Sequence, residues 1–398
     1  MSQIDVMRDD PPPGLVRARL PALAAGVLGL AACAAGALLD PAGTWPSYLF
    51  ALMFWLGIAL GSLAILMLHH LVGGGWGFGV RRLLEAAAMT LPLLLGLFAP
   101  LLLGLGYLYA WARPAEVAAD AVLQHKRAYL NPAFFTARAA LYFAIWIALA
   151  LLLNRWSLQQ DADADPSAAE GRMRNLSRFG LVLYMLTITF AAVDWVMSIE
   201  PHWYSTIYGL IYVAGQGLSG FAVAIIAAAL LARRGPLASA LAPARFADLG
   251  GLLLTFVMFW AYITLSQFLL IWSGNLPEEV TWYLRRSQGG WLWLIVAVLA
   301  LQFVLPFLLL LARDVRRAAR ALAALAALIL CVHLAELFWL VVPPFRPGGL
   351  SLGWADLAAP IGVGGVWLAA YAWLLGRRPL LPLHRSQPPQ LQEALDHG

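Results

Sequence analysis

Runs of about twenty apolar residues recur along this chain, and that feature limits what it can fold into. In hydrocarbon each backbone amide must find its partner within its own segment, so a run of roughly 20 apolar residues reads as a membrane-spanning helix. Ten such runs are legible, at residues 20–39, 47–72, 83–111, 134–154, 179–199, 206–232, 247–272, 290–312, 320–342 and 356–376. Composition agrees, since 62% of the 398 residues are hydrophobic and 12% charged, against roughly 25% charged in a soluble domain. The expectation is an all-α, polytopic integral membrane protein with about ten transmembrane helices, and an ordinary globular enzyme is excluded. Pro92 and Pro100 should kink or tilt the third span. The first run follows a tail containing Pro11, Pro12 and Pro13 and exceeds the roughly 7–15 residue core of a signal peptide, so it reads as an uncleaved first helix.

Ten spans place both termini on one side, and basic residues indicate which. Nineteen of the 26 Lys and Arg fall in the two tails and the loops on the terminus side, among them Arg8, Arg81, Arg172, Arg313 and Arg378. Arg113, Lys126, Arg127, Arg285, Arg286 and Arg346 lie on the opposite side, and Arg138 lies within a span. The positive-inside rule then makes both termini of this multi-pass protein cytoplasmic. This asymmetry accounts for the net charge of +5 better than nucleic-acid binding does.

The outer side is rich in tryptophan (Trp45, Trp111, Trp195, Trp203, Trp272, Trp282, Trp291, Trp293, Trp339 and Trp354). This reads either as an interfacial aromatic belt or as a docking ledge. Short surface helices are expected from Arg113 to about Leu130 and from Pro277, where acids follow an early proline. The stretch 157–177, with Asp161, Asp163 and Asp165, reads as a solvated linker, and the tail after Pro379 as disordered or draped over a partner.

Asp194 and Glu336 each stand seven residues before a proline, Pro201 and Pro343. This echo suggests two repeated four-helix bundles, of spans 2–5 and 6–9, with flanking helices. The implied organisation is a cytoplasmic tail (1–19), a flanking helix (20–46), a first bundle (47–199), a second bundle (200–342), a last helix (343–378) and a second tail (379–398).

An acid at a helix centre costs about 2.5–3.5 kcal/mol on insertion scales, so ionisable residues within spans are functional candidates. Near the outer side stand Arg138, Asp194, Glu200 and His202, with His333 and Glu336 deeper and on one helix face. His69, His70 and Glu85 stand near the inner side, where they read as the inner mouth of a proton path or as solvated interfacial groups. Tyr107, Gln216, Tyr262 and Gln267 are supporting polar residues suited to hydrogen bonds within a bundle. Arg138 and Asp194 share a depth on consecutive spans, which fits a structural ion pair or part of a quinone or proton site. Cys33 and Cys331 lie in no haem c or iron–sulfur motif and read as packing residues. The three histidines in spans are at depths poorly matched for paired haem ligation. No metal site and no nucleotide-binding loop is legible.

Five segments in order, LHHLVGGGWG, RRLLEAAAMTLPLL, YLNPAFFTARAALYFAIW, TFAAVDWVMSIEPHWYSTIYG and FWAYITLSQFLLIWSGNLPEE, resemble the ActF subunits of bacterial alternative complex III. These belong to the NrfD-like (polysulfide reductase membrane subunit) family. The resemblance covers about residues 45–300, and DWVMSIEPHWYST is its most specific part. It implies two four-helix bundles flanked by extra helices, in a subunit of a quinol:electron-acceptor (cytochrome c) oxidoreductase of an electron transfer chain. The implied partners are the paralogous membrane C subunit, outer-face iron–sulfur and haem c subunits, membrane lipid and the quinone pool. Any cofactor of its own would be a quinone such as menaquinone, and redox centres would belong to partners. A structural anchor for the outer-face subunits is the alternative, and an independent secondary transporter a third.

Overall fold

The computed structural model describes residues 13–163, 165–232 and 241–381. All ten expected spans are helices long and apolar enough to cross a membrane. They are α1 (Arg17–Leu39), α2 (Pro41–Val72), α3 (Arg81–Leu108), α4 (Pro132–Ala162), α5 (Ser167–Ile199), α6 (Tyr208–Leu231), α7 (Pro243–Gly274), α8 (Trp291–Leu311), α9 (Ala319–Val341) and α10 (Ala355–Leu375). The chain is an all-α, multi-pass membrane protein. Successive spans alternate in direction, so the loops rich in arginine gather at one end, the basic end, and those rich in tryptophan at the other, the aromatic end.

Packing closes two rings of four helices, α2–α5 and α6–α9, with α1 and α10 paired on the flank against α2. The helices α2 and α6 are the centre, because 89% and 72% of their apolar windows are buried, against 22% for α1 and α8 and 28% for α7. Small residues allow this. A Cβ at Gly61 would overlap the Gln216 carbonyl oxygen, and one at Gly220 would meet the Ser62 amide nitrogen at 2.6 Å. Such close approach is what drives helix association in lipid, where apolar side chains gain nothing by leaving the tails.

Two spans are irregular for identifiable reasons. The span α3 is broken at Met89–Thr90, ahead of Pro92, and runs as a 3-10 turn over Ala99–Gly104 around Pro100. Each proline removes a backbone donor that the preceding turn needs. The span α8 contains a π-helical turn, Leu299–Val304, just ahead of Pro306. Pro306 cannot donate to the carbonyl four residues back, that of Gln302, and the widened turn adjusts the register there.

The structure corrects several expectations. The stretch 157–177 is no linker, since α4 continues to Ala162 and α5 begins at Ser167. Ser157, Gln160, Ala169, Met173 and Ser177 form a buried stripe along these extensions, while charged residues cover their outer faces. The two expected surface helices are present, the first as two pieces, Pro114–Ala119 and Ala121–Lys126, and the second as Pro277–Arg285. The tryptophans make no uniform belt, because only Trp272, Trp293 and Trp354 of those named are exposed and the rest pack inward. The tail expectations for residues 1–12 and 382–398 lie outside the described residues.

The α1–α10 pair is the closest helix contact on the flank. A Cβ on Gly29 would stand 2.6 Å from Gly362 Cα. Gly29→Leu is therefore expected to force the two helices apart and lower stability by about 1–3 kcal/mol. Leu28→Ala, at a position 71% exposed, should leave the thermal unfolding midpoint in detergent unchanged.

Candidate functional site

Asp194 is fully buried near the aromatic end of α5. Arg138 of α4 meets it with both ends of its fork, Nε to Oδ2 at 2.8 Å and Nη2 to Oδ1 at 2.9 Å. Tyr142, one turn along α4, donates to Oδ2 at 2.8 Å. The guanidinium lies over the rings of Tyr129 at 3.8 Å and Phe134 at 4.4 Å, and donates to the Tyr129 carbonyl. Burial, and then the Asp194 carboxylate, push the Tyr129 phenol up to about 12. Each charge meets its counter-charge where it stands, which is the geometry of a closed ion pair.

The turn after Asp194 has other partners. Glu200 accepts from Arg285 at 2.5 Å and pairs with Arg286 at 2.7 Å, tying the first bundle to the helix Pro277–Arg285 of the second. Arg286 is buried over the Trp282 ring at 3.8 Å and donates to the Leu340 carbonyl. Burial pushes its guanidinium below the ordinary value, and Glu200 opposes this. His202 is exposed and sits 2.8 Å from Asp120. The expected outer grouping of Arg138, Asp194, Glu200 and His202 therefore separates: the first two form one unit, Glu200 joins Arg285 and the buried Arg286, and His202 sits in a surface pair with Asp120.

Glu336, on α9, is buried in a different manner. Oε1 accepts from Trp260 Nε1 of α7 at 2.8 Å, and Oε2 from Gln302 Nε2 of α8 at 2.7 Å. His333 Nδ1 also lies 2.8 Å from Oε2, one turn back on the same helix. No guanidinium contacts this carboxyl among the described residues. The imidazole fits because Gly215 on α6 has no side chain, and a Cβ there would stand 2.5 Å from His333 Cε1. A cavity of about 10 Å³ adjoins the pair, lined by Met53, Ile211, Tyr212, Gln216, His333, Glu336, Leu337 and Leu340. That is about the room one water needs. The Tyr212 hydroxyl is buried there without a well-aligned hydrogen bond among the described residues. Gln216 accepts from Tyr184 at 2.8 Å, and so connects the cavity to α5.

At the basic end Glu85 receives Arg81 Nε at 2.9 Å, Arg82 Nη1 at 2.7 Å and Ser157 Oγ at 2.6 Å. Arg82 also pairs with Asp161. His69 and His70 stand with ring centroids 5.7 Å apart, and His69 packs against Trp76. Both rings lie close enough to Arg81 and Glu85 to feel their charges. The expected group of His69, His70 and Glu85 is thus assembled, but its carboxylate is held by two guanidiniums.

Among the supporting residues, Gln216 lines the cavity and Gln267 accepts from Ser205 at 2.6 Å. Tyr107 and Tyr262 do not fill the expected role, being 50% and 66% exposed. Tyr109, in extended backbone just past the end of α3, points inward instead and donates to the Trp195 carbonyl. On α7 the buried stripe passes through Trp260, Ile263 and Gln267, which leaves Tyr262 on the outer face. The reading from sequence passed over Trp260, Gln302, Tyr142 and Tyr212. Gln302 carried a signal, being an amide in hydrocarbon four residues before a proline. No family model matches the chain, and neither does any curated protein sequence.

If the Arg138–Asp194 pair is structural, Arg138→Met leaves an unpaired buried carboxylate and is expected to cost about 3–5 kcal/mol. Arg138→Met with Asp194→Leu should restore most of that loss. Unfolding of the purified protein in detergent measures both.

Proposed function

We propose that this chain is the membrane subunit of a quinol:electron-acceptor (cytochrome c) oxidoreductase assembly of the alternative complex III type, and that its second bundle supplies a proton-exchange site. The observation that carries the reading is the Glu336–His333 pair, buried beside a water-sized cavity and held by Trp260 and Gln302 rather than by a guanidinium. Carboxylate with imidazolium and carboxylic acid with imidazole have the same net charge. A proton can therefore pass between the two groups without burying a new charge. Asp194 has no imidazole partner of this kind, and Arg138 grips both of its oxygens.

Trp260 and Gln302 both donate to Glu336 and orient its oxygens, as general acid–base groups require. Tyr212 and Gln216 face the same cavity, where a water would link them to the pair. The cavity's size favours proton exchange over seating a quinone headgroup at this point. In this reading quinone and redox centres belong to the partner subunits named by the sequence resemblance. The basic end faces the cytoplasm of a bacterial inner membrane.

A second reading, a structural anchor, is favoured by the aromatic end, where Arg286, Glu200, Trp203, Trp282 and Trp339 interlock. The two are separated in the intact assembly. Glu336→Gln is expected to lower quinol turnover and proton release by about ten-fold or more, with the partner subunits still co-purifying. An anchor would instead lose subunits when Arg286 is replaced and keep normal turnover with Glu336→Gln. Normal turnover and proton release in both Glu336→Gln and His333→Ala would end the proton-exchange reading.

A further inference from the structure

The basic end holds a second cavity, about 10 Å³ in volume, between the start of α3 and the end of α10. Arg82 and Arg378 stand on its polar side, and Ala86, Met89, Leu374 and Leu375 form apolar walls. Arg82 is only 3% exposed. Its Nη1 serves Glu85 and Ser157 and its Nη2 serves Asp161, while its buried Nε has no hydrogen-bond partner among the described residues. Arg378 is fixed by Asn154 of α4 through Nη1, and is partly exposed, as are Met89 and Leu374. The site therefore opens at its rim.

The local charge is unbalanced. Among the described residues, Arg81, Arg82 and Arg378 face two carboxylates, Glu85 and Asp161, and both carboxylates already pair with Arg82. Burial pushes the Arg378 guanidinium below its ordinary value. Glu85 and, more weakly, Asp161 oppose that shift, and the charges of Arg82 and Arg377 add to it. A buried donor and a second, half-buried cation beside it call for an oxyanion. The apolar walls leading away along α3 and α10 suit hydrocarbon.

We infer that Arg82 and Arg378 form a binding site for the phosphate of an anionic phospholipid, whose acyl chains lie along Met89 and Leu374. Guanidinium groups bind phosphate through paired N–H donors, and basic pockets between helices at the membrane surface select anionic headgroups. The cavity admits one phosphate oxygen, and the rest of the headgroup stays at the mouth. A lipid is favoured over free phosphate because the walls are apolar and continue into the span.

Native mass spectrometry of the full chain in detergent, with added phosphatidylglycerol, phosphatidylcholine or inorganic phosphate, tests the site. Phosphatidylglycerol should be retained at least ten-fold more tightly than phosphatidylcholine. Arg378→Gln should abolish that preference, Arg378→Lys should keep part of it, and Arg377→Gln should keep all of it, because Arg377 stacks on Trp373 outside the cavity. Should Arg378→Gln fail to fold, Asn154→Ala, which frees Arg378, should weaken retention in its place. Equal retention of the two lipids, or equal loss in Arg377→Gln and Arg378→Gln, would overturn the site. Displacement of phosphatidylglycerol by equimolar inorganic phosphate would overturn its assignment to lipid.

Discussion

A charge in hydrocarbon must find its counter-charge or its hydrogen bonds within the protein, and the organisation of this bundle follows from how it meets that demand. Two carboxyl groups stand at matching places in the chain, seven residues before Pro201 and Pro343. Each is reached from the span before its own, Asp194 on α5 by Arg138 on α4 and Glu336 on α9 by Gln302 on α8. The partners differ in kind. A guanidinium grips both oxygens of Asp194, whereas an indole, an amide and an imidazole surround Glu336. The two bundles thus share a plan and diverge in chemistry.

The packing that makes this possible runs through α2 and α6. Glycines at 61 and 220 let these helices approach backbone to backbone, which seals the interior on both sides of the interface. The Glu336 cavity lies beside that seam, with Met53 from α2, Tyr212 and Gln216 from α6, and His333 from α9. Irregular helix geometry also contributes. The π-helical turn ahead of Pro306 contains Gln302, a fully buried amide. At the basic end, the same requirement for partners gathers Arg81, Arg82, Ser157 and Asp161 around Glu85, and leaves a cation excess next to the membrane surface.

Much of this was legible along the chain. Asp194 was conspicuous as an acid in an apolar run, and its depth relative to Arg138 was enough to pair them. His333 and Glu336 were visible as neighbours because three residues place two side chains on one helical face. Trp260 and Gln302 were not, since their contact with Glu336 depends on how α7 and α8 rotate about their own axes. Spans of such uniform hydrophobicity carry little signal of rotation. The same cause misplaced Tyr107 and Tyr262, which face outward although their polarity suggested an inward role. The reach of α4 to Ala162 and of α5 back to Ser167 was hidden by charges, most of which cover their outer faces while Asp161 turns in to Arg82.

What the sequence determined by itself was the number of spans, their alternating direction and the depth of each ionisable group. These follow from hydrocarbon thickness and from the cost of exposing a backbone amide to lipid, and both act on one segment at a time. Only the tertiary structure decided which donors meet which carboxyl. That choice depends on helix rotation and on close crossings at single glycines, and these are set between segments. Asp194 and Glu336 look alike in the chain, and the helices packed around them give one a guanidinium partner and the other an indole, an amide and an imidazole.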